Sequence, residues 1–154
     1  MQSTGDNVPS ARRLWSGRIL ASIAVLFLIF DGVIKLAPIQ PVVEGFAHLG
    51  YPIRLAPVIG VLELILIAIY LIPRASLLGA ILLTGFLGGA IASQVRIGEP
   101  LFSHVLFPTY IAALLWGGLF LREGRLRALL PLRSEPAPSS RTPARESVPR
   151  AEVA

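Results

Sequence analysis

Long apolar runs alternate with short polar segments along the chain, at the spacing expected of helices that cross a membrane. The runs are residues 19–36, 55–72, 75–95 and 100–121, and the third contains no charged residue. Each is close to the ~20 residues that a helix needs to cross ~30 Å of hydrocarbon. The pattern predicts an all-α integral membrane fold, a four-helix transmembrane bundle formed by residues 16–123.

The connections between these runs differ in length. Only Pro73 and Arg74 separate the second run from the third, so these two helices should form a tight antiparallel hairpin. The segment between the first two runs is longer, has a helix start signal at Pro41 and a stop signal at Gly50, and places apolar residues on one face: Val42, Val43, Phe46 and Leu49. It predicts a short interfacial helix between spans 1 and 2.

The two ends of the chain fall outside the apolar runs. Residues 1–15 should be a flexible cytoplasmic N-terminus, and residues 124–154 a cytoplasmic tail that is disordered from about residue 134, where proline and polar residues dominate. The basic residues before the first run also resemble a secretory signal, but no small-x-small cleavage site follows and the run continues to Asp31. We therefore expect the first run to remain in the protein as a span.

Composition narrows the class of protein. Of the 154 residues, 54% are hydrophobic and 15% are charged, whereas an average soluble domain is about 25% charged. Such a chain cannot cover a water-facing surface, which excludes a soluble enzyme and a disordered protein. The absence of cysteine excludes disulfides, iron–sulfur clusters and thiolate metal sites, and two histidines are too few for a convincing metal site. A redox role would need a borrowed cofactor, since none is intrinsic to these residues.

The net charge of +5 is a topology signal and not a nucleic-acid signal, because the basic residues lie almost entirely outside the runs. Near the span ends, Arg54 and Arg96 fall on one side of the membrane. The other side holds eight arginines: Arg12, Arg13, Arg18, Arg74, Arg122, Arg125, Arg127 and Arg133. This asymmetry predicts that both termini are cytoplasmic, with Trp15, Tyr70 and Trp116 at the inner interface.

Most ionisable groups near hydrocarbon then fall in the outer half of the bundle. Asp31 and Lys35 are one helical turn apart at the outer end of span 1 and can pair. Glu63 lies ~12 Å below the outer end of span 2 with no cation within a turn, so it is protonated or has a partner on another helix: Lys35, Arg54 or Arg96. Glu63 could have a binding or proton-handling role, or it could make a purely structural bond. Lys35 could instead extend its ammonium group to the membrane interface at the end of its helix.

His104 begins span 4 on the same side of the membrane. Pro108 cannot donate the backbone hydrogen bond that the carbonyl of residue 104 would accept, so span 4 should kink there and form a polar notch, although a lone histidine at such a place is often only interfacial. Polar residues from all four spans thus form one set of ligand-binding candidates at similar depth: Asp31, Lys35, Glu63, Gln94, Arg96 and His104. No catalytic residue can be assigned.

Span 3 also carries a stripe of small residues, here called the glycine stripe: Gly85, Gly88, Gly89 and Ser93. Residues of this kind let a neighbouring backbone approach closely. We expect the stripe to pack helices together, within the bundle or between protomers of a homo-oligomer.

Several segments form an ordered set along the chain. They are Leu49-Gly50-Tyr51-Pro52 followed by Gly60 and Glu63, Leu83-Thr84-Gly85-Phe86-Leu87-Gly88-Gly89-Ala90, Arg96-Ile97-Gly98-Glu99-Pro100-Leu101-Phe102-Ser103-His104, and Leu114-Leu115-Trp116-Gly117-Gly118-Leu119. In this order they resemble the DoxX-like family of small four-helix membrane proteins, over roughly residues 16–123. The resemblance implies a bacterial inner membrane and, for some members, association with quinone-linked oxidoreductases such as the small subunit of thiosulfate:quinone oxidoreductase.

Three functions compete at this point. The leading hypothesis is an accessory subunit of a quinone-linked oxidoreductase, with a quinone in an outer-half polar pocket and a separate redox partner subunit. A transporter or binding protein for small molecules or membrane lipid could use the same pocket, with Glu63 as its proton-linked group. A structural membrane anchor without activity of its own is the third.

Overall fold

The computed structural model describes residues 11–37, 39–123 and 126. Within these residues the protein is helical and has no strand. The helices are α1 (Ala11–Leu36), α2 (Gln40–His48), α3 (Leu55–Leu71), α4 (Ser76–Arg96) and α5 (Phe107–Arg122), and a π-helical turn, Leu101–Val105, precedes α5. The predicted all-α fold is confirmed, including the short helix between the first two long ones. The disorder expected from residue 134 lies outside the described residues.

Three segments of the described chain are long and apolar enough to cross a membrane: α1, α4 and Leu101–Arg122. Helix α3 is also apolar but has 17 residues, or ~26 Å at ~1.5 Å per residue, which is near the lower limit for a span. The chain is a membrane protein, and the count of four spans stays a prediction. Helix α1 begins at Ala11, so residues 11–15, which we expected in the flexible N-terminus, are helical.

The four long helices form a ring in which α1 contacts α3 and α5, and α4 contacts the same two helices. Buried side chains from all four fill the centre, among them Leu28, Ile67, Leu83 and Leu115. Helix α2 lies beside this core, where its buried Val42 and Phe46 pack with Ala56 at the start of α3. The predicted apolar face of the short helix is therefore the face that it buries.

Glycines mark the closest approaches between helices. A Cβ at Gly118 of α5 would lie 2.8 Å from the backbone of α1, and a Cβ at Gly60 of α3 would lie 2.6 Å from the carbonyl oxygen of Gly32. In the hairpin of α3 and α4, a Cβ at Gly79 would overlap the backbone of Tyr70. A methyl group at any of these positions would push two helices apart.

The glycine stripe of α4 does not pack in this way. At Gly85, Gly88 and Gly89 a Cβ would meet nothing within 4 Å. Helix α4 instead buries another face, which includes Leu83 and Leu87, and this leaves the three glycines of the stripe free of neighbouring helices. The expected packing within the bundle is therefore not seen at these three glycines, and packing between protomers stays a prediction.

The last apolar segment, Leu101–Arg122, is interrupted near its start. The N–H of Leu106 donates to the carbonyl of Leu101 over 2.9 Å, which closes the π-helical turn. Helix α5 then begins at Phe107 with Pro108 in its first turn, where a missing N–H costs no helical hydrogen bond. The expected break at the proline is present, as a π-helical turn followed by a new helix.

Candidate functional site

The crossing of α1 and α3 places a cation next to a buried carboxylate. The two backbones are close at Gly32 and Gly60, and a Cβ at Gly60 would lie 3.0 Å from the Cβ of Lys35. Side chains lean toward the N-terminus of their own helix. Because α1 and α3 are antiparallel, Lys35 and Glu63 lean toward each other across this crossing.

Lys35 bonds two carboxylates. Its Nζ donates to Asp31 Oδ2 and, over 2.8 Å, to Glu63 Oε2. Glu63 is completely buried, whereas the Asp31 side chain is 33% exposed. Of the three cations that the sequence offered as partners for Glu63, the structure selects Lys35. These three residues, the Lys35 triad, carry two negative charges and one positive charge when ionised.

The Lys35 triad retains unused hydrogen-bonding capacity. Glu63 Oε1 is buried and has no hydrogen-bond partner among the described residues. A lysine ammonium has three N–H donors, of which Lys35 uses two. Leaving a buried polar atom unpaired costs about 1–3 kcal/mol. The triad can therefore offer an acceptor and a donor, side by side, to a molecule that carries the complementary groups.

A cavity of about 600 Å³ adjoins the Lys35 triad. Its aromatic walls come from several parts of the chain: Phe27, Phe46, Tyr51, Phe86 and Phe107. Its polar lining includes most of the residues that the sequence singled out, namely Asp31, Lys35, Glu63, Gln94 and His104, together with Ser93 and Ser103. The structure thus brings together five of the six candidates in one chamber whose volume is that of a small-molecule site.

Arg96 is the candidate that does not line the cavity. Its guanidinium donates to the carbonyl of Leu49 and lies 5.6 Å from the centre of the Tyr51 ring. The Tyr51 hydroxyl in turn is 3.0 Å from Ser93 Oγ. Arg96 therefore fixes the segment between α2 and α3 against the end of α4, and it positions an aromatic wall instead of facing a ligand.

Sequence reasoning missed the contacts of His48 and Glu99, which form a polar cluster with His104 on the side predicted to face outward. His48 Nε2 of α2 contacts Glu99 Oε1, and Glu99 Oε2 lies 3.7 Å from His104 Nδ1 in the π-helical turn. Ser103 Oγ is 2.8 Å from the same nitrogen. This outer cluster joins three parts of the chain, although no group of three His, Cys, Asp or Glu side chains in the described residues is arranged to hold a metal ion.

Comparison with known proteins gives one result. Residues 19–118 match the DoxX-like family. No curated protein and no solved structure matches the chain. The matched range covers more than half of the chain, from the first long helix into the last, and it contains every residue that lines the cavity. The chain therefore belongs to the DoxX-like family.

Proposed function

We propose that this protein is a membrane subunit that binds the head of a quinone or quinol in the cavity beside the Lys35 triad. The observation that carries the proposal is the buried Glu63 Oε1, which has no partner in the described residues and lines an aromatic cavity. A buried acceptor of this kind is suited to a hydroxyl donor. A quinol has two such hydroxyls on an apolar ring.

The chemistry of the lining supports the same ligand class in both oxidation states. A quinone carbonyl would accept the remaining N–H of Lys35, and a quinol hydroxyl would donate to Glu63 Oε1. Phe86, whose ring centre is 5.9 Å from Lys35 Nζ, and the other aromatic walls would cover the faces of the ring. The bound quinone would supply two-electron redox chemistry, and the residues of the chain would bind it, orient it and hold a proton at Glu63.

The chain has no cysteine to hold an iron–sulfur cluster, and we propose that it acts as an accessory subunit beside a redox partner. We place the protein in a bacterial inner membrane as a multi-pass protein with both termini in the cytoplasm. The arginine asymmetry between the two sides of the membrane supports that orientation. With this orientation the cavity opens in the outer half of the bilayer.

Equilibrium binding tests the proposal. The probe is a methoxylated benzoquinol with a decyl tail, kept reduced and titrated into the purified protein in mild detergent. Wild type should bind it saturably, and Glu63→Gln should weaken binding by about tenfold or more, because a charge-assisted hydrogen bond contributes about 1.5–3 kcal/mol. Tyr70→Phe, which changes a hydroxyl at the opposite end of the bundle, serves as the control and should bind as wild type does.

Two results would contradict the proposal. If folded wild type shows no saturable binding of either the quinol or its oxidised form, the cavity does not serve this ligand class. If Glu63→Gln binds the quinol as tightly as wild type does, the buried oxygen is not the recognition element.

A further inference from the structure

The wall that α4 contributes to the cavity contains exposed glycine. Gly85 and Gly89 both line the cavity, and both are exposed on the same face of α4 as Leu78 and Leu82, two large apolar side chains on the outside of the bundle. A Cβ at either position would meet nothing within 4 Å. A position on this outward face that also lines the cavity lies at an opening of the cavity. The cavity is therefore open sideways, past these two glycines.

The depth of this opening determines what it faces. Gly89 and Gly85 precede Arg96 at the outer end of α4 by seven and eleven residues, which places them ~10–16 Å below that end at ~1.5 Å per residue. Glu63 is at a similar depth, ~12 Å below the start of α3. At this depth the surroundings of a membrane protein are acyl chains and not water. The sideways opening therefore leads into the hydrocarbon.

Below the opening, α4 and α5 are joined. Trp116 Nε1 of α5 donates to Thr84 Oγ1 of α4 over 2.8 Å, one residue before Gly85. Above the cavity, the outer cluster of His48, Glu99 and His104 joins α2 to the π-helical turn. Polar contacts thus lie on the inner side of the glycines and at the aqueous mouth, while the glycines themselves face open space.

We propose that Gly85 and Gly89 form a lateral portal through which the apolar tail of the ligand leaves the cavity and enters the outer leaflet. The inference rests on the proposed function, since it takes the quinol head to lie at the Lys35 triad. It adds that the ligand class is one with a long hydrocarbon tail, and that the ligand enters from the lipid. Because glycine has no side chain, these two positions leave space for a hydrocarbon tail that a larger side chain would occupy.

A second copy of the chain is the competing occupant of this face. Gly88 distinguishes the two, because it is exposed on the same stretch of α4 and meets nothing within 4 Å, yet it does not line the cavity. A protomer interface along the stripe would involve Gly88 as much as its neighbours. A hydrocarbon tail in the portal would not contact Gly88. Gly88→Leu is therefore the matched control for Gly89→Leu.

The experiment compares two probes on the purified full chain: a methoxylated benzoquinol without a tail, and the same head with a decyl tail. Gly89→Leu and Gly85→Leu should weaken binding of the tailed probe by about tenfold or more, since contact along several methylenes is lost. The same variants should bind the tail-free probe within about twofold of wild type, and Gly88→Leu should resemble wild type for both probes. Leucine is a better helix former than glycine, so all three variants should fold, which thermal unfolding verifies.

The other possible results distinguish a failure of the portal from a failure of the proposed function. If wild type binds neither probe, the proposed function fails and the portal fails with it. If wild type binds and Gly89→Leu weakens both probes equally, or neither, the head site stands and the portal is overturned. If Gly88→Leu and Gly89→Leu both lower the mass of the particle measured by light scattering, the stripe is an interface between copies, and the portal is likewise overturned.

Discussion

The two halves of the bundle, which the arginine asymmetry predicts to be inner and outer, are held together in different ways. In the inner half, α3 and α4 touch backbone to backbone at Gly79, and the Tyr70 hydroxyl donates a buried 3.0 Å hydrogen bond to the carbonyl of Leu115. In the outer half, α1 and α3 touch at Gly32 and Gly60, Lys35 bonds Glu63 across the same crossing, and a cavity of about 600 Å³ adjoins this pair of helices. The same four helices thus pack densely at one end and enclose a chamber at the other.

The two halves therefore contribute different properties, namely dense packing and space for a ligand. Backbone contact through glycine gives dense packing but leaves no room for a ligand. In the outer half, α1 and α3 also touch at Gly32 and Gly60, and the cavity lies beside this contact, lined by residues of α1, α3, α4 and α5. Stability then depends on both ends, whereas the proposed binding depends on the outer end.

The largest effect is expected from labelling, which decides which half faces outward. The chain has no cysteine, so single cysteines report position directly. In right-side-out vesicles an impermeant maleimide should label Gly45→Cys, on an exposed face of α2 with nothing within 4 Å, and should not label Ser139→Cys. The arginine asymmetry is the physical reason. Labelling of Ser139→Cys from outside would reverse the orientation, and the cavity would then open to the cytoplasmic leaflet.

The next effect concerns the ion pairs of the outer half. Lys35→Met leaves the buried Glu63 without its cation, which should lower the free energy of unfolding by about 3–5 kcal/mol. The midpoint of thermal unfolding in detergent measures the loss. The double variant Lys35→Met/Glu63→Gln removes the uncompensated charge and should regain part of the stability. A single variant as stable as wild type would show that the pair does not hold α1 and α3 together.

A smaller effect is expected from the dense packing of the inner half. Gly79→Ala adds a methyl group where it overlaps the backbone of Tyr70 and should destabilise the protein by about 1–3 kcal/mol. Gly88→Ala is the matched control, since its Cβ has open space and alanine favours a helix by up to ~1 kcal/mol. Equal unfolding midpoints for the two variants would remove the contrast between dense packing in the inner half and open space along α4.

Much of the fold follows from local sequence signals. The apolar runs predict the long helices because their length matches the hydrocarbon, and Pro41 with Gly50 predicts the short helix between them. Gly50 has a φ of +71°, a conformation that favours glycine, which is why it serves as a stop signal. A buried carboxylate without a cation on its own helix needs one from another helix. The sequence therefore predicts that Glu63 pairs with one of three cations, of which Lys35 is one.

Other features depend on tertiary structure that no local pattern records. Gly79 and Gly89 look alike in the sequence, yet the first meets a backbone and the second meets open space. Which face of α4 turns toward its neighbours is set by the whole ring of helices. The contact of His48 with Glu99 joins residues 51 positions apart, one at the end of α2 and the other in the loop after α4. Neither residue stands out until the chain is folded.

The pairing of Asp31 with Lys35 within α1 has a consequence for biosynthesis. Glu63 is made 28 residues after Lys35, which at roughly 5–20 residues per second is a delay of a second or more. During that interval the two charges on α1 can neutralise each other within one turn of the same helix, which lowers the cost of moving them into the bilayer. Helix α3 then arrives at a cation already held in place, so the order of synthesis matches the order in which the charges need their partners.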